Sequence, residues 1–109
     1  MPRRKRMDPI PKEVDRLVVA LCGDYERRVR YARRTTLDPA LREAMLSINE
    51  RIDAAVAAVC EAGICRQIRR DIGERRGARR TPLYCLSEAT YKRRKHEAKI
   101  AVAKAFHLM

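Results

Sequence analysis

The stretch that decides the fold is SEATYKRRKHEAKIAVAKAF, residues 87–106. It begins with a serine, a residue favoured as the N-cap just before a helix, and it contains no glycine or proline. Four consecutive cations start at Lys92, and a run rich in alanine and branched residues follows from Ala98. Helical spacing places Tyr91, Ala98 and Val102 on one face. The stretch therefore predicts a helix whose back half is anchored in a core and whose basic front half faces outward.

The charge of the chain favours a polyanionic partner. In 109 residues, 26 Lys and Arg stand against 14 Asp and Glu, so the formal net charge is +12. Residues 63–99 carry +8 of this surplus, because 12 cations face four acids there. A surplus concentrated in one segment favours nucleic acid first and an anionic membrane surface second. A domain of this composition, with 46% hydrophobic residues, is expected to fold around a core.

We expect a cytoplasmic protein without a membrane partner. The basic start of the chain is not followed by the apolar core of a signal peptide. No apolar stretch approaches the roughly 20 residues of a membrane span. Residues 1–9 are expected to form a flexible basic arm, of the kind that can enter a minor groove.

The first helix is predicted from about Pro11 to Arg33, with Gly23 as a point of bending. Proline is tolerated in a first helical turn, whereas glycine weakens a helix interior. Apolar residues recur at steps of three and four along this helix and form one stripe: Val14, Leu17, Val18, Leu21, Tyr25, Val29 and Ala32. The arginines of its back half are predicted to form either a solvated face or a phosphate contact.

The second helix is predicted to begin with Asp38 as its N-cap and Pro39 in its first turn. It carries an apolar stripe from Leu41 to Cys60, and Gly63 is expected to end it in a left-handed conformation. Because residues 38–62 are net negative, this helix is expected to face away from nucleic acid. It is predicted to pack antiparallel on the first helix as a scaffold hairpin, or to dimerise through its apolar strip.

A short third helix over residues 64–72 leads into an arginine-rich stretch. Residues 73–86, GERRGARRTPLYCL, contain two glycines, one proline and four arginines, a composition typical of an ordered turn or small wing. The predicted fold is all-α. A single domain, residues 10–109, comprises the antiparallel helical hairpin (10–63) followed by a C-terminal helix-turn-helix-like unit (64–109) with an extended basic loop.

In a helix-turn-helix, the second helix enters the major groove and its first turns reach base edges. Arg93 and Arg94 are the predicted base readers, because a guanidinium fork matches the two acceptors of guanine. The other predicted DNA-binding residues contact phosphates, with Ser87 and Thr90 able to contact a base as well. They are Ser87, Thr90, Lys92, Lys95, and the loop residues Arg75, Arg76, Arg79 and Arg80. The alternative is a solvated helix face in which Glu97 pairs with Arg93 and Arg94.

Residues 86–106, LSEATYKRRKHEAKIAVAKAF, resemble the C-terminal segment of small phage transcriptional regulators of the ArpU and RinA type. The residues that carry the resemblance are Ser87, Thr90, Tyr91, Arg93, Arg94, Ala98 and Ala103. INERIDAAVAAV, residues 48–59, is similar to the helix that precedes the DNA-binding part in that family, so the resemblance covers roughly residues 48–107. The main departure is the 14-residue stretch before the last helix, since a standard turn has three or four residues.

The resemblance implies a fold similar to the promoter-reading C-terminal domain of sigma factors. It implies sequence-specific binding of double-stranded DNA and control of phage or prophage late genes in the cytoplasm of a bacterial host. Host RNA polymerase and a second copy of the chain are candidate further partners.

Two other binding functions stay open at the level of sequence. A small terminase subunit that recognises viral DNA for packaging would also be helical, basic and oligomeric. An RNA-binding protein is the second alternative, although four tyrosines, one phenylalanine and no tryptophan offer few surfaces for stacking bases.

An enzyme is not expected, and no cofactor or metal is predicted. Asp71 and Glu74 stand three residues apart like a nuclease metal pair, but such pairs are common on solvated helix faces. The chain's four cysteines form no CxxC pair, which favours reduced and mostly buried thiols. A zinc site built from Cys60, Cys65 and either His96 or His107 would match no common ligand spacing.

Overall fold

A computed structural model of the protein describes residues 9–34, 36, 38–74 and 86–109. Every regular element within these ranges is a helix, which confirms the predicted all-α class. The elements in chain order are α1 (Lys12–Gly23), α2 (Tyr25–Ala32), α3 (Pro39–Ala57), α4 (Cys65–Glu74) and α5 (Glu88–Ala105). The predicted flexible arm lies, apart from Pro9, outside the described residues.

The single helix predicted over 11–33 is divided at Asp24 into α1 and α2. Asp24 keeps a right-handed helical conformation, and its carbonyl accepts a hydrogen bond from the Arg28 amide at 3.0 Å, so the chain bends without reversing. The bend thus falls one residue after the predicted Gly23. At Gly23 the end of α1 meets the end of α4, where a Cβ atom on Gly73 would lie 2.7 Å from the Gly23 nitrogen. The two helices therefore touch backbone to backbone.

The second and third helices, α2 and α3, form an antiparallel pair. Three hydrogen bonds join the two segments, and residue numbers rise along one while they fall along the other. Tyr25 donates to Asp53, Arg28 donates to Asn49, and the Arg34 carbonyl accepts from Arg42. The first helix does not extend this hairpin, because α1 packs mainly against α4 and also contacts α5. The predicted scaffold hairpin of residues 10–63 is therefore not confirmed as a separate unit.

The start of α3 is as predicted, whereas its end is not. The Asp38 Oδ1 atom accepts a hydrogen bond from the Ala40 amide at 2.7 Å, and Pro39 takes the first helical position. The helix ends at Ala57, and no glycine among the described residues has a positive φ, so the predicted left-handed stop at Gly63 is wrong. Turns follow Ala57, and Cys60 and Ile64 within this segment are buried in the core.

The hydrophobic core lies where α1, α3, α4 and α5 meet. Its largest fully buried apolar side chains come from all four of these helices: Val18, Ile52, Val56, Ile68, Ile72, Tyr91 and Val102. The predicted inner face of α5 is confirmed, since Tyr91, Ala98 and Val102 are fully buried. The predicted stripes are wider than the buried faces, however, because Leu17 and Leu41 are 50% and 47% exposed.

The last helix ends in a paired hydrogen-bond motif. The Leu108 amide donates to the Ala103 carbonyl at 2.8 Å, and the His107 amide donates to the Lys104 carbonyl at 3.1 Å. His107 has a φ of 57°, the left-handed conformation that this motif usually gives to glycine. The turn folds Leu108 back against the core and fixes the C-terminal anchor of α5.

Candidate nucleic-acid interface

The front of α5 begins at a serine cap. The Ser87 Oγ atom accepts a hydrogen bond from the Thr90 amide at 3.1 Å and lies 2.8 Å from the Thr90 hydroxyl. Such a cap satisfies an amide that has no partner within the helix. The two hydroxyls predicted to contact DNA therefore also hold the first turn of α5 in place, and both remain at least partly exposed.

Tyr91 fixes this first turn on α4. Its hydroxyl donates a hydrogen bond to Asp71 Oδ2, and both side chains are fully buried. Gln67 donates a second hydrogen bond to Asp71 Oδ1 at 2.9 Å. Asp71 therefore does not lie on a solvated helix face: its carboxylate faces the core and accepts from two donors. No group of three or more metal-ligating side chains occurs in the part of the chain that the structure describes.

Lys92 and Arg93 lie on the exposed side of α5, immediately after the buried Tyr91. Their side chains are 66% and 55% exposed. Each faces a carboxylate of its own helix, with Lys92 Nζ 3.1 Å from Glu88 and Arg93 Nε 3.8 Å from Glu97. Exposed ion pairs of this kind contribute about 0–1 kcal/mol, so a phosphate can displace either carboxylate at little cost.

Arg94 has a different environment from its neighbour. It lies 3.2 Å from Glu61, in the turn between α3 and α4, and 3.3 Å from Glu97, and its side chain is only 26% exposed. A hydrogen bond from the Glu61 backbone and one from Arg94 lower the pKa of the Glu61 carboxyl. Contact between Arg94 and a base would require this side chain to leave both carboxylates. Glu97 lies within ion-pair distance of both Arg93 and Arg94, as the alternative predicted from sequence expected.

Lys95 and Lys99 lie on the side of α5 that faces α1. Lys99 Nζ is 2.9 Å from Asp15 of α1, and both lysines are half-buried. Burial, followed by the nearby charge of Lys99, lowers the pKa of Lys95. Lys95 is therefore less available to a phosphate than Lys92, although the sequence assigned the two the same role.

The remaining predicted contacts, Arg75, Arg76, Arg79 and Arg80, lie outside the described residues. Their placement beside a DNA backbone stays a prediction from sequence.

The structure adds two buried arginines that the sequence pattern did not distinguish from exposed ones. Arg28 is buried, donates to Asn49 Oδ1 at 2.7 Å, and also donates to the Leu21 carbonyl. Burial lowers the pKa of Arg28. Arg69 is buried over the ring of Tyr25, with its guanidinium carbon 3.6 Å from the ring centre. The sequence did contain a signal for the burial of Arg28, since Asn49 interrupts the apolar stripe of α3 and a buried amide needs a partner.

The three described cysteines are free, and two of them are buried as predicted. Burial raises the pKa of Cys22 to about 11 and that of Cys60 to about 12. Cys65 is partly exposed, and burial also raises its pKa. These thiols stay protonated at neutral pH, which is unfavourable for nucleophilic chemistry.

Comparison of the chain with protein-family models, curated proteins and solved structures found no match. The resemblance of residues 48–107 to phage regulators therefore rests on the sequence motif alone. In the described ranges, no helix has the length and apolar character needed to cross a bilayer.

Proposed function

We propose that the protein binds double-stranded DNA through the front of α5, with α4 and α5 acting as a helix-turn-helix-like unit. The observation that carries the proposal is the contrast between Tyr91 and the next two residues. Tyr91 is fully buried and bonded to Asp71, whereas Lys92 and Arg93 are more than half exposed on the first turns of the same helix. A capped helix start that presents cations to solvent suits insertion into a major groove.

The division of labour within α5 follows from the ion pairs. Lys92 is assigned to a phosphate and Arg93 to guanine, since both are exposed and held only by weak pairs on their own helix. Arg94 stays with Glu61 and Glu97, where it ties α5 to the turn after α3. The arginines of the 73–86 loop, Arg75, Arg76, Arg79 and Arg80, would add phosphate contacts beside the groove.

The biological role that we propose is regulation of phage or prophage late genes. It is supported by the resemblance of the α5 motif to regulators of the ArpU and RinA type, and by the surplus of 12 positive charges. Host RNA polymerase and a second copy of the chain are the further partners that this role would involve.

Selection of bound sequences from a pool of random duplexes, at two salt concentrations, tests the function. We expect enrichment of one sequence motif at both concentrations and weaker overall retention at the higher one, because phosphate contacts are lost with salt. Failure to enrich any motif, or preferential binding of single-stranded RNA in competition, would contradict sequence-specific duplex binding. A closed ring in native mass measurements would favour DNA packaging over regulation.

A further inference from the structure

A second basic surface lies on α2 and the two residues that follow it, outside the predicted helix-turn-helix-like unit of residues 64–109. It consists of four exposed arginines, Arg27, Arg30, Arg33 and Arg34, together with the half-buried Tyr31. Helical spacing turns Arg27 and Arg30 away from the buried Arg28, by about 100° and about 160° around the helix, whereas Arg28 points toward α3. We refer to these five residues as the α2 arginine surface.

These arginines are less engaged than those of α5. Arg27 is paired with Asp24. Arg30, Arg33 and Arg34 form no ion pair with any residue in the described ranges. At the front of α5, by contrast, Lys92, Arg93 and Arg94 each face a carboxylate. An anion that binds the α2 arginine surface therefore displaces fewer internal partners.

Tyr31 stacks against two of these arginines. The guanidinium carbon of Arg34 lies 4.2 Å from the Tyr31 ring centre, and that of Arg27 lies 5.6 Å from it. A guanidinium stacked on a ring uses its flat face, so the N–H edge of Arg34 stays free for the two-pronged contact that phosphate favours, whereas the N–H edge of Arg27 is bonded to Asp24. Stacking also removes part of the side-chain entropy that binding would otherwise cost.

The neighbouring helix fixes the position of this surface. The Arg42 side chain of α3 donates to the Arg34 carbonyl at 2.7 Å, and the Arg33 and Arg34 amides bond back to the last turn of α2. The arginines thus start from an ordered helix end rather than from a free chain.

We propose that the α2 arginine surface is a second, sequence-independent contact for the phosphate backbone of duplex DNA. This inference rests on the proposed function, because it adds a site to the same ligand. It assigns non-specific affinity to α2 and base reading to α5, which is the usual division between phosphate and base contacts.

The test compares Arg30→Gln/Arg34→Gln with Lys12→Gln/Arg16→Gln, two variants that remove the same charge. Lys12 and Arg16 are exposed on α1 and form no ion pair with a described residue, so they control for the loss of net charge. On a random-sequence duplex, we expect the α2 variant to bind about tenfold more weakly. The slope of log affinity against log salt should fall by about 2, at about 0.9 per lost phosphate contact. Equal behaviour of the two variants would overturn the inference.

The contribution of Tyr31 is measured separately. Tyr31→Leu keeps every charge but removes the stacking surface, so we expect about threefold weaker binding with an unchanged salt slope. Tyr31→Phe keeps the ring and should bind like the original chain. If Tyr31→Leu also binds like the original chain, the pre-ordering argument is wrong.

Two further arms separate this inference from the proposed function. If Lys92→Gln/Arg93→Gln leaves duplex binding intact while the α2 variant loses it, the assignment to α5 fails and the α2 surface stands. If the Lys92→Gln/Arg93→Gln variant loses duplex binding while the α2 variant keeps it, only the proposed α2 contact is overturned. Binding to phosphatidylserine vesicles that depends on Arg30 and Arg34, with duplex binding unaffected by them, would assign this surface to a membrane and also overturn the inference.

Discussion

The Tyr91 hydroxyl donates a hydrogen bond to the Asp71 carboxylate in the core, where both side chains are fully buried. This contact joins the first turn of α5 to the second turn of α4. A carboxylate is costly to bury unless it is hydrogen-bonded, and Asp71 receives a second donor from Gln67. The Tyr91–Asp71 hydrogen bond therefore fixes the front of α5, which carries Lys92 and Arg93, against α4.

Removing the hydroxyl should weaken the fold. We expect Tyr91→Phe to lower the free energy of unfolding by about 1–3 kcal/mol, because Asp71 stays buried with one donor fewer. Urea titration followed by circular dichroism measures the change. Tyr31→Phe, at a half-buried position on α2, is the matched control and should stay within about 0.5 kcal/mol of the original. Equal stability of Tyr91→Phe and the original chain would show that the hydrogen bond does not stabilise the fold.

The contact between the ends of α1 and α4 should tolerate no side chain at Gly73. A Cβ atom there would lie 2.7 Å from the Gly23 nitrogen, whereas one at Gly63 meets nothing within 4 Å. We expect Gly73→Ala to destabilise the protein by about 1–3 kcal/mol, even though alanine favours a helix. Gly63→Ala should change stability by about 0.5 kcal/mol or less. A neutral or stabilising Gly73→Ala in thermal unfolding would contradict the close approach.

The C-terminal turn of α5 offers a stabilising substitution. His107 has a φ of 57°, a conformation that costs a non-glycine residue roughly 1–2 kcal/mol. Replacing His107 with glycine removes this cost, but part of the gain is offset because glycine is more flexible in the unfolded chain. We therefore expect His107→Gly to raise stability by about 0.5 kcal/mol in the same urea titration, with His107→Ala as the control that keeps the strain. A loss of stability in the glycine variant would mean that the imidazole makes a contribution larger than the strain.

The buried thiols should be unreactive in the folded protein. Because burial raises the pKa of Cys22 to about 11 and of Cys60 to about 12, both remain protonated at pH 8. Alkylation mapped by mass spectrometry should modify Cys65 first among these three and modify the other two only after unfolding. Labelling of Cys22 or Cys60 in the native state as fast as Cys65 would contradict their burial.

The same pKa shifts predict a loss of stability in alkali. The unfolded chain ionises its thiols near the ordinary pKa of 9.0, whereas the folded chain holds Cys22 neutral up to about 11. Only the unfolded state gains from ionisation between these values, so this contribution to stability should fall as the pH rises through that window. Cys22→Ala should reduce that part of the pH dependence.

Local features of the fold could be predicted from sequence, and long-range polar contacts could not. Asp38 and Ser87 cap their helices as predicted, because a cap depends on residues two or three positions away. The pairs Tyr91–Asp71 and Arg28–Asn49 join residues far apart in the chain, and no single-sequence pattern specifies them.

The same limit applies to the candidate site. Exposure of Lys92 and Arg93 followed from helical spacing, since both lie away from the apolar face of α5. The pairing of Arg94 with Glu61 could not be predicted from helical spacing, because it depends on the position of the turn after α3. Because α3 ends at Ala57, before Gly63, Glu61 lies in that turn and not in the predicted helix.

The most direct test of the central claim is the affinity of Arg93→Ala for a selected duplex and for a random one. If Arg93 reads a base, the variant should lose about 1–3 kcal/mol on the selected duplex and much less on the random one. Lys104→Ala removes the same charge from an exposed position in the back half of α5 and should change neither affinity by more than about twofold. Equal losses for Arg93→Ala on the selected and random duplexes would contradict base reading by the front of α5.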